Sequence, residues 1–230
     1  YFYLKKKIDK KYINVCYVIF SLILLQGVIG WYMVKSGLVN DITVSHYRLS
    51  IHLSTAILII SIVFWLIKNI ISKKNKVFFK FSKNNFPFQI LIFIIFVQII
   101  LGAFVSGLDA GKIYQTWPLM GNTYIPDDLL YENVISIFQF DNHSLVQFYH
   151  RNLAYLIILY TFGLSIFIYR KRTFNLHKPL KILLFVLFIQ VLLGIITLVS
   201  GLNIYLASMH QITSVLLVFS ALNLYYFNAK

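Results

Sequence analysis

The sequence predicts an all-α membrane protein with six transmembrane helices, and three observations predict it. First, 59% of the 230 residues are hydrophobic and 12% charged, with a mean hydropathy of +0.76, whereas about a quarter of a soluble domain is charged. Second, six apolar runs, at about 12–34, 47–71, 87–107, 146–169, 179–200 and 204–228, are each long enough to cross roughly 30 Å of hydrocarbon at about 1.5 Å per residue. Third, the basic residues gather on alternate connections. Lys5, Lys6, Lys7, Lys10 and Lys11 precede the first run, and Lys68, Lys73, Lys74, Lys76, Lys80 and Lys83 follow the second. Arg170, Lys171, Arg172, Lys178 and Lys181 follow the fourth, and Lys230 ends the chain. Six alternating spans put all of these on one side, which the positive-inside rule makes the cytoplasm, both ends of the chain included. The net charge of +14 is therefore an orientation signal and not a nucleic-acid footprint.

Taken in order, the first run leads outward to Trp31, Tyr32 and a Ser36-Gly37 turn, an aromatic belt at the interface. No signal-peptide pattern is visible, and the chain begins at Tyr1, so a preceding segment is expected. Cys16, the lone cysteine, excludes an internal disulfide and a cysteine-based metal site within one chain. A short outer loop from Val39 to His46 enters the second run. After the basic connection Lys73 to Phe86, Pro87 suits the first turn of the third. The long outer segment from Gly107 to Ser144 is rich in Trp, Tyr, Phe and Leu, which predicts a packed cap.

A repeat organises the runs. The first carries Gln26-x3-Gly30-x5-Ser36-Gly37-Leu38, the fifth Gln190-x3-Gly194-x5-Ser200-Gly201-Leu202, and the third a shortened Gln98-x3-Gly102-x3-Ser106-Gly107-Leu108. Gln and Gly at i,i+4 share one helix face, and glycine admits a close neighbour, so a packing seam is the simplest reading of each copy. Yet each copy is followed by a run with a histidine near its outer end: His52, His150 and His210. All three carry a small residue at i+4 (Ala56, Ala154, Ser214), one turn deeper on the same face. Ionisable groups within spans mark function. The pattern suits haem iron held by axial imidazoles of facing helices in a four-helix bundle, with the porphyrin edge-on between them. Arg48 and Arg151 stand beside these histidines, where they would pair with propionates or snorkel to the interface.

Other readings stay open at this point. The histidines could be hydrogen-bonded packing residues. A zinc site would use the same imidazoles but finds no nearby carboxylate or thiol within the runs. A transporter would place its site near the midplane, deeper than these histidines. His46, His143 and His177 fall in connections and read as solvated.

At these residues the sequence resembles the heme A synthase family. The motifs are Gln26 to Leu38, Val44-Ser-His-Tyr-Arg-Leu-Ser-Ile-His-Leu53, Gly107-Leu-Asp-Ala-Gly111 with Thr116-Trp-Pro-Leu-Met-Gly121, Gln147-Phe-Tyr-His-Arg151 and Ser208-Met-His-Gln211. The resemblance implies an eight-helix architecture of two related four-helix bundles. Residues 81–230 would form the complete C-terminal half that binds haem b, and residues 1–80 part of the half that receives haem O. The leading helix pair, with a second histidine in a His-Arg pair and a glutamate, would precede Tyr1. The resemblance further implies that His150 and His210 are axial ligands of haem b (iron protoporphyrin IX) and that His52 contacts the substrate haem O at the catalytic centre. The implied reaction oxidises one methyl group to a formyl group through hydroxylated intermediates, with water as the oxygen source. Implied partners are heme O synthase, a membrane electron acceptor and surrounding lipid; a homo-oligomer is compatible with it. The implied location is the bacterial inner membrane in preference to the mitochondrial one. A b-type cytochrome that passes electrons without catalysing is the alternative.

Overall fold

The computed structural model describes residues 5, 10–37, 44–130 and 137–229. Most of the short loop after Gly37, Leu38 of the first repeat copy, Glu132 of the long segment and the terminal Lys6, Lys7 and Lys230 lie outside the described residues. Six long helices form, α1 (Lys10–Gly37), α2 (His46–Ile71), α3 (Phe86–Gly107), α5 (His143–Arg170), α6 (His177–Val199) and α7 (Ile204–Asn228), with a single-turn α4 (Asp127–Leu130) in the long segment. All six are long and apolar enough to cross a membrane, and among the described residues no strand forms beyond one Met120–Thr123 bridge. The all-α expectation holds, with helix ends within three residues of the predicted runs. Helices are the solution lipid imposes, because every backbone N–H and C=O must find its partner within the segment.

Local sequence sets where the helices begin. Pro87 occupies the first turn of α3, where its missing N–H costs nothing. The Asn142 side chain accepts from the Leu145 N–H at the start of α5, and that of Asn203 from Tyr205 and Leu206 at the start of α7. These caps satisfy amides that lipid could not.

Packing is uneven along the bundle. At the end away from the histidines, Trp65, Phe88, Leu91, Leu180, Leu183, Leu222, Leu224 and Tyr225 are all nearly or fully buried in one core. A polar latch closes this end. Trp65 Nε1 and Asn69 Nδ2 donate to the Lys76 carbonyl at 2.8 and 2.9 Å, and Tyr226 Oη donates to Asn69 Oδ1 at 3.1 Å. The Lys76 ammonium donates to the Tyr226 and Ala229 carbonyls at the C-terminus of α7, where the helix dipole favours a cation. Burial, aided by the charge of Lys74, holds that amine below the ordinary lysine range. At the histidine end a smaller cluster of Leu101, Phe104 and Val146 joins α3 to α5.

Among the described residues the extended contacts of α1 are with α2, those of α2 also with α3 and α7, those of α3 with α5 and α7, and those of α6 chiefly with α7. α5 and α7 are not among the helix pairs in extended contact among the described residues; both lean on α3.

His46 corrects the sequence reading. It is the first residue of α2, 6% exposed, because α2 crosses α3 where Gly107 has no side chain. Its ring stands edge-on to Phe104 at 5.2 Å, and its Nε2 lies 3.5 Å from Asp141 Oδ1. His177 is likewise half-buried, against Tyr169 and Phe174, whereas His143 is exposed. A Cβ built on Gly107 would lie 2.7 Å from both Cα and Cβ of His46. Backbone cannot swing aside, so Gly107→Ala should destabilise the protein by about 1–3 kcal/mol, the usual cost of overpacking, seen as a lower thermal midpoint in detergent. Gly27→Ala, at an open position, should leave the midpoint unchanged or slightly raised.

Candidate functional site

His52, His150 and His210 lie six, seven and six residues after the first residues of α2, α5 and α7. They therefore share one depth, about two turns in. Each is docked on the helix that precedes it in the repeat. Gln26 Nε2 donates to the His52 carbonyl at 2.9 Å and lies 3.2 Å from His52 Nε2. Gln98 does the same to His150, at 2.9 and 3.4 Å. Gln190 Nε2 lies 3.4 Å from His210 Nε2, while His210 Nδ1 lies 3.1 Å from the Gln190 carbonyl oxygen. The glycines complete each dock. A Cβ on Gly30, Gly102 or Gly194 would stand 3.0, 3.2 or 2.9 Å from Cε1 of the corresponding imidazole. The seam and the histidines are thus one feature: the Gln-x3-Gly face is the surface on which the next histidine rests.

The surroundings leave polar atoms unspent. His52 Nδ1, His150 Nδ1 and the Oε1 atoms of Gln26, Gln98 and Gln190 are buried without a hydrogen-bond partner. Orphans of this kind are costly in an apolar interior and mark places where something else binds. Ala56, Ala154 and Ser214 are all half-buried, in contrast to the closed core at the other end.

The donor set fits a porphyrin iron, which takes two axial imidazoles. Among the described residues no three or more of His, Cys, Asp and Glu come together as a ligand cluster. A structural zinc ion, which takes four such ligands, finds no set of that kind among them.

The arginines serve separate neighbourhoods. The Arg48 guanidinium lies 5.1 Å from the ring centroid of Tyr32 on α1. Arg151 reaches over the long segment after α3: Nη1 donates to the Thr116 and Leu119 carbonyls at 2.8 and 3.2 Å, and Nη2 to Tyr114 at 2.8 Å. Gln147 Nε2 also donates to the Tyr114 carbonyl at 2.8 Å, and Tyr124 Oη to Asn152 Oδ1 at 2.5 Å. With Ala110, Met120 and Pro126 buried beneath it, the described part of the segment is the packed cap that its aromatic content predicts, tied down by residues either side of His150. Asn152 was not singled out by sequence, and Gln147 entered only as the first residue of the Gln147–Arg151 motif, without a role.

The sequence model of the COX15-CtaA family, described as cytochrome oxidase assembly protein, matches residues 1–222. The chain belongs to that family. It is 45% identical to a heme A synthase of Pelagibacter ubique (strain HTCC1062), over 99% of this chain and 66% of the relative. Heme A synthases of the Wolbachia of Brugia malayi and of Rickettsia africae are 40% and 38% identical, over 96% and 95% of this chain and 65% of their own lengths. The chain thus spans just under two thirds of these family members.

Arg151→Met should release the cap. Losing charge-assisted hydrogen bonds worth about 1.5–3 kcal/mol would raise the open population about tenfold or more, read as faster proteolysis between Lys112 and Leu129 with helix content unchanged. Equal cleavage of both proteins would show that the cap is held by something else.

Proposed function

We propose that this chain works in haem A formation, the oxidation of one methyl group of the substrate haem O to a formyl group for cytochrome c oxidase. The observation that carries this reading is the triple dock. Three imidazoles of one depth stand each on its own Gln–Gly face, in a chain of the cytochrome oxidase assembly family.

On this reading residues 81–230 form a four-helix half in which His150 and His210 hold haem b. α5 and α7 bring one imidazole each, and both pack on α3. When bound, haem b supplies one-electron transfer, the route by which electrons leave the substrate for a membrane acceptor. Residues 1–80 contribute His52, on the α1–α2 pair, to the half that receives haem O. Arg48 and Arg151 stand four residues before His52 and next to His150 in the sequence; they pair with propionates, Arg151 through Nε, which is buried without a partner. The cap keeps water from the His150 side. Water as the oxygen source, delivery of haem O by heme O synthase, a homo-oligomeric assembly, and a bacterial inner membrane with basic connections facing the cytoplasm complete the proposal.

Purified full-length protein should show low-spin haem absorbance that His150→Ala and His210→Ala each abolish and His52→Ala leaves in place. Membranes supplied with haem O should yield extractable haem A from the parent protein and none from His52→Ala. Low-spin absorbance surviving both His150→Ala and His210→Ala would refute the ligand assignment. Untouched haem O with a normal spectrum in the parent would instead favour a b-type cytochrome that only passes electrons.

A further inference from the structure

We propose that the cap after α3 is seated in the bilayer, and that Trp117, Leu119, Tyr124 and Ile125 form a lipid-contacting surface in the leaflet at the histidine end. The occupant of that surface is lipid, not water and not a protein partner.

Depth comes first. The apolar run of α5 ends at Tyr169, just before Arg170, Lys171 and Arg172. At about 1.5 Å per residue, Gln147 stands about 33 Å and Asn152 about 26 Å along the helix from Tyr169, on either side of the roughly 30 Å hydrocarbon thickness. The cap is tied to the stretch between these two. Gln147 Nε2 and Arg151 Nη2 donate to the Tyr114 carbonyl, Arg151 Nη1 to those of Thr116 and Leu119, and Tyr124 Oη to Asn152 Oδ1. A segment that could have stood above the helix ends runs back down α5 to the hydrocarbon boundary.

The side it occupies is the lipid side. Phe148, Asn152, Leu156 and Leu159 follow one another at i, i+4, i+8 and i+11, one stripe of α5. Leu156 and Leu159 are exposed, which within a span means lipid-facing. Tyr124 meets Phe148 in a T-shaped contact at 5.9 Å and bonds to Asn152. The cap therefore covers the end of this stripe, and its exposed Tyr124 and Ile125 prolong it. No charged residue stands on the stripe, so one solvent serves both surfaces.

The backbone is finished as lipid requires. Irregular chain at membrane depth must have its polar groups satisfied by protein, whereas a loop in water leaves them to solvent. Thr116 Oγ1 donates to the Leu119 carbonyl at 2.9 Å and accepts from the Gly121 N–H at 2.9 Å, and the Met120 N–H donates to the Thr123 carbonyl at 2.8 Å. With Arg151 and Gln147 added, the Tyr114 and Leu119 carbonyls each accept two hydrogen bonds. What the turn shows outward is large and partly aromatic: Trp117, Leu119, Tyr124 and Ile125 are all exposed. These are the residue types of an interfacial belt, at the boundary where amphipathic elements bury their apolar side about 5–10 Å deep.

The test places single spin labels on the full-length protein in phosphatidylcholine vesicles, with the exposed Cys16 removed as Cys16→Ser. Trp117→Cys, Leu119→Cys and Ile125→Cys report on the cap. Leu159→Cys is the lipid reference, and His143→Cys, exposed and about 39 Å along α5 from Tyr169, the water reference. At the three cap positions, as at Leu159, collisions with oxygen should exceed those with a water-soluble nickel chelate; at His143 the order should reverse. In unlabelled protein, the emission lost in Trp117→Phe should be quenched by brominated lipid and spared by aqueous iodide, which covers the case of a label that displaces the cap. Nickel contact at the cap equal to that at His143, with iodide quenching of Trp117, would put this surface in water and overturn the proposal. Exclusion of both collision probes, with Trp117 quenched by neither agent, would show protein covering it and overturn the proposal equally.

Discussion

An imidazole resting on a glycine, with a glutamine amide against its edge, is the interaction on which the rest of the structure depends. A polar ring within a lipid-spanning helix has no water to turn to, and leaving its nitrogens and a spare carbonyl lone pair unpaired costs several kcal/mol. The solution here is the same three times. A helix offers Gln and Gly one turn apart on one face, and the next span sets its histidine there. This fixes the register of each hairpin, because sliding either helix by one turn would strand the amide and press the imidazole into a larger side chain. α1 shows how far the interaction reaches: the apolar span of that helix has no buried residue and its extended contacts are with α2, yet its Gln26 and Gly30 meet His52 as their equivalents do inside the bundle.

The bundle divides its labour along its length. In lipid the hydrophobic effect does not drive helices together, so dispersion and interhelical hydrogen bonds must. They are concentrated at one end, where Trp65, Tyr225 and Tyr226 interlock and the Lys76 ammonium closes the C-terminus of α7. The opposite end is held by the three histidine docks, by the Leu101–Phe104–Val146 cluster and by the cap that Arg151 holds down. Ala56, Ala154 and Ser214 place small side chains one turn below the histidines.

Much of this was legible in the sequence because lipid simplifies the problem. Spans must be about 20 apolar residues long, so all six helices could be read from runs alone, and the caps at Asn142 and Asn203 lie where the runs begin. The Gln-x3-Gly repeat and the histidines were visible too, but as separate signals. What joined them was the packing of consecutive helices, which one-dimensional spacing does not carry. His46 was misread for the same reason. In the sequence it looks like a loop residue, but it is buried because Gly107, some sixty positions away, lets α2 pass close to α3. Arg151 was found as a cation beside a histidine, yet its grip on three carbonyls of residues 114–119 depends on how the long segment folds back.

The repeat also bears on how two cofactor-sized sites could arise from one device. A hairpin of a Gln–Gly helix and a histidine helix supplies one docked imidazole, and axial ligation of a porphyrin iron takes two. The α3–α5 and α6–α7 hairpins together supply a pair; the α1–α2 hairpin supplies His52 alone. On the proposed function, the half that receives haem O would be completed by a further hairpin of the same kind, and the heme A synthases that match this chain are about half as long again as the part they share with it. Every copy would set an imidazole at the same depth, and what distinguishes a relay haem from a substrate haem would lie in the residues around the docks: Arg48 and Tyr32 on one side, the clamped cap on the other.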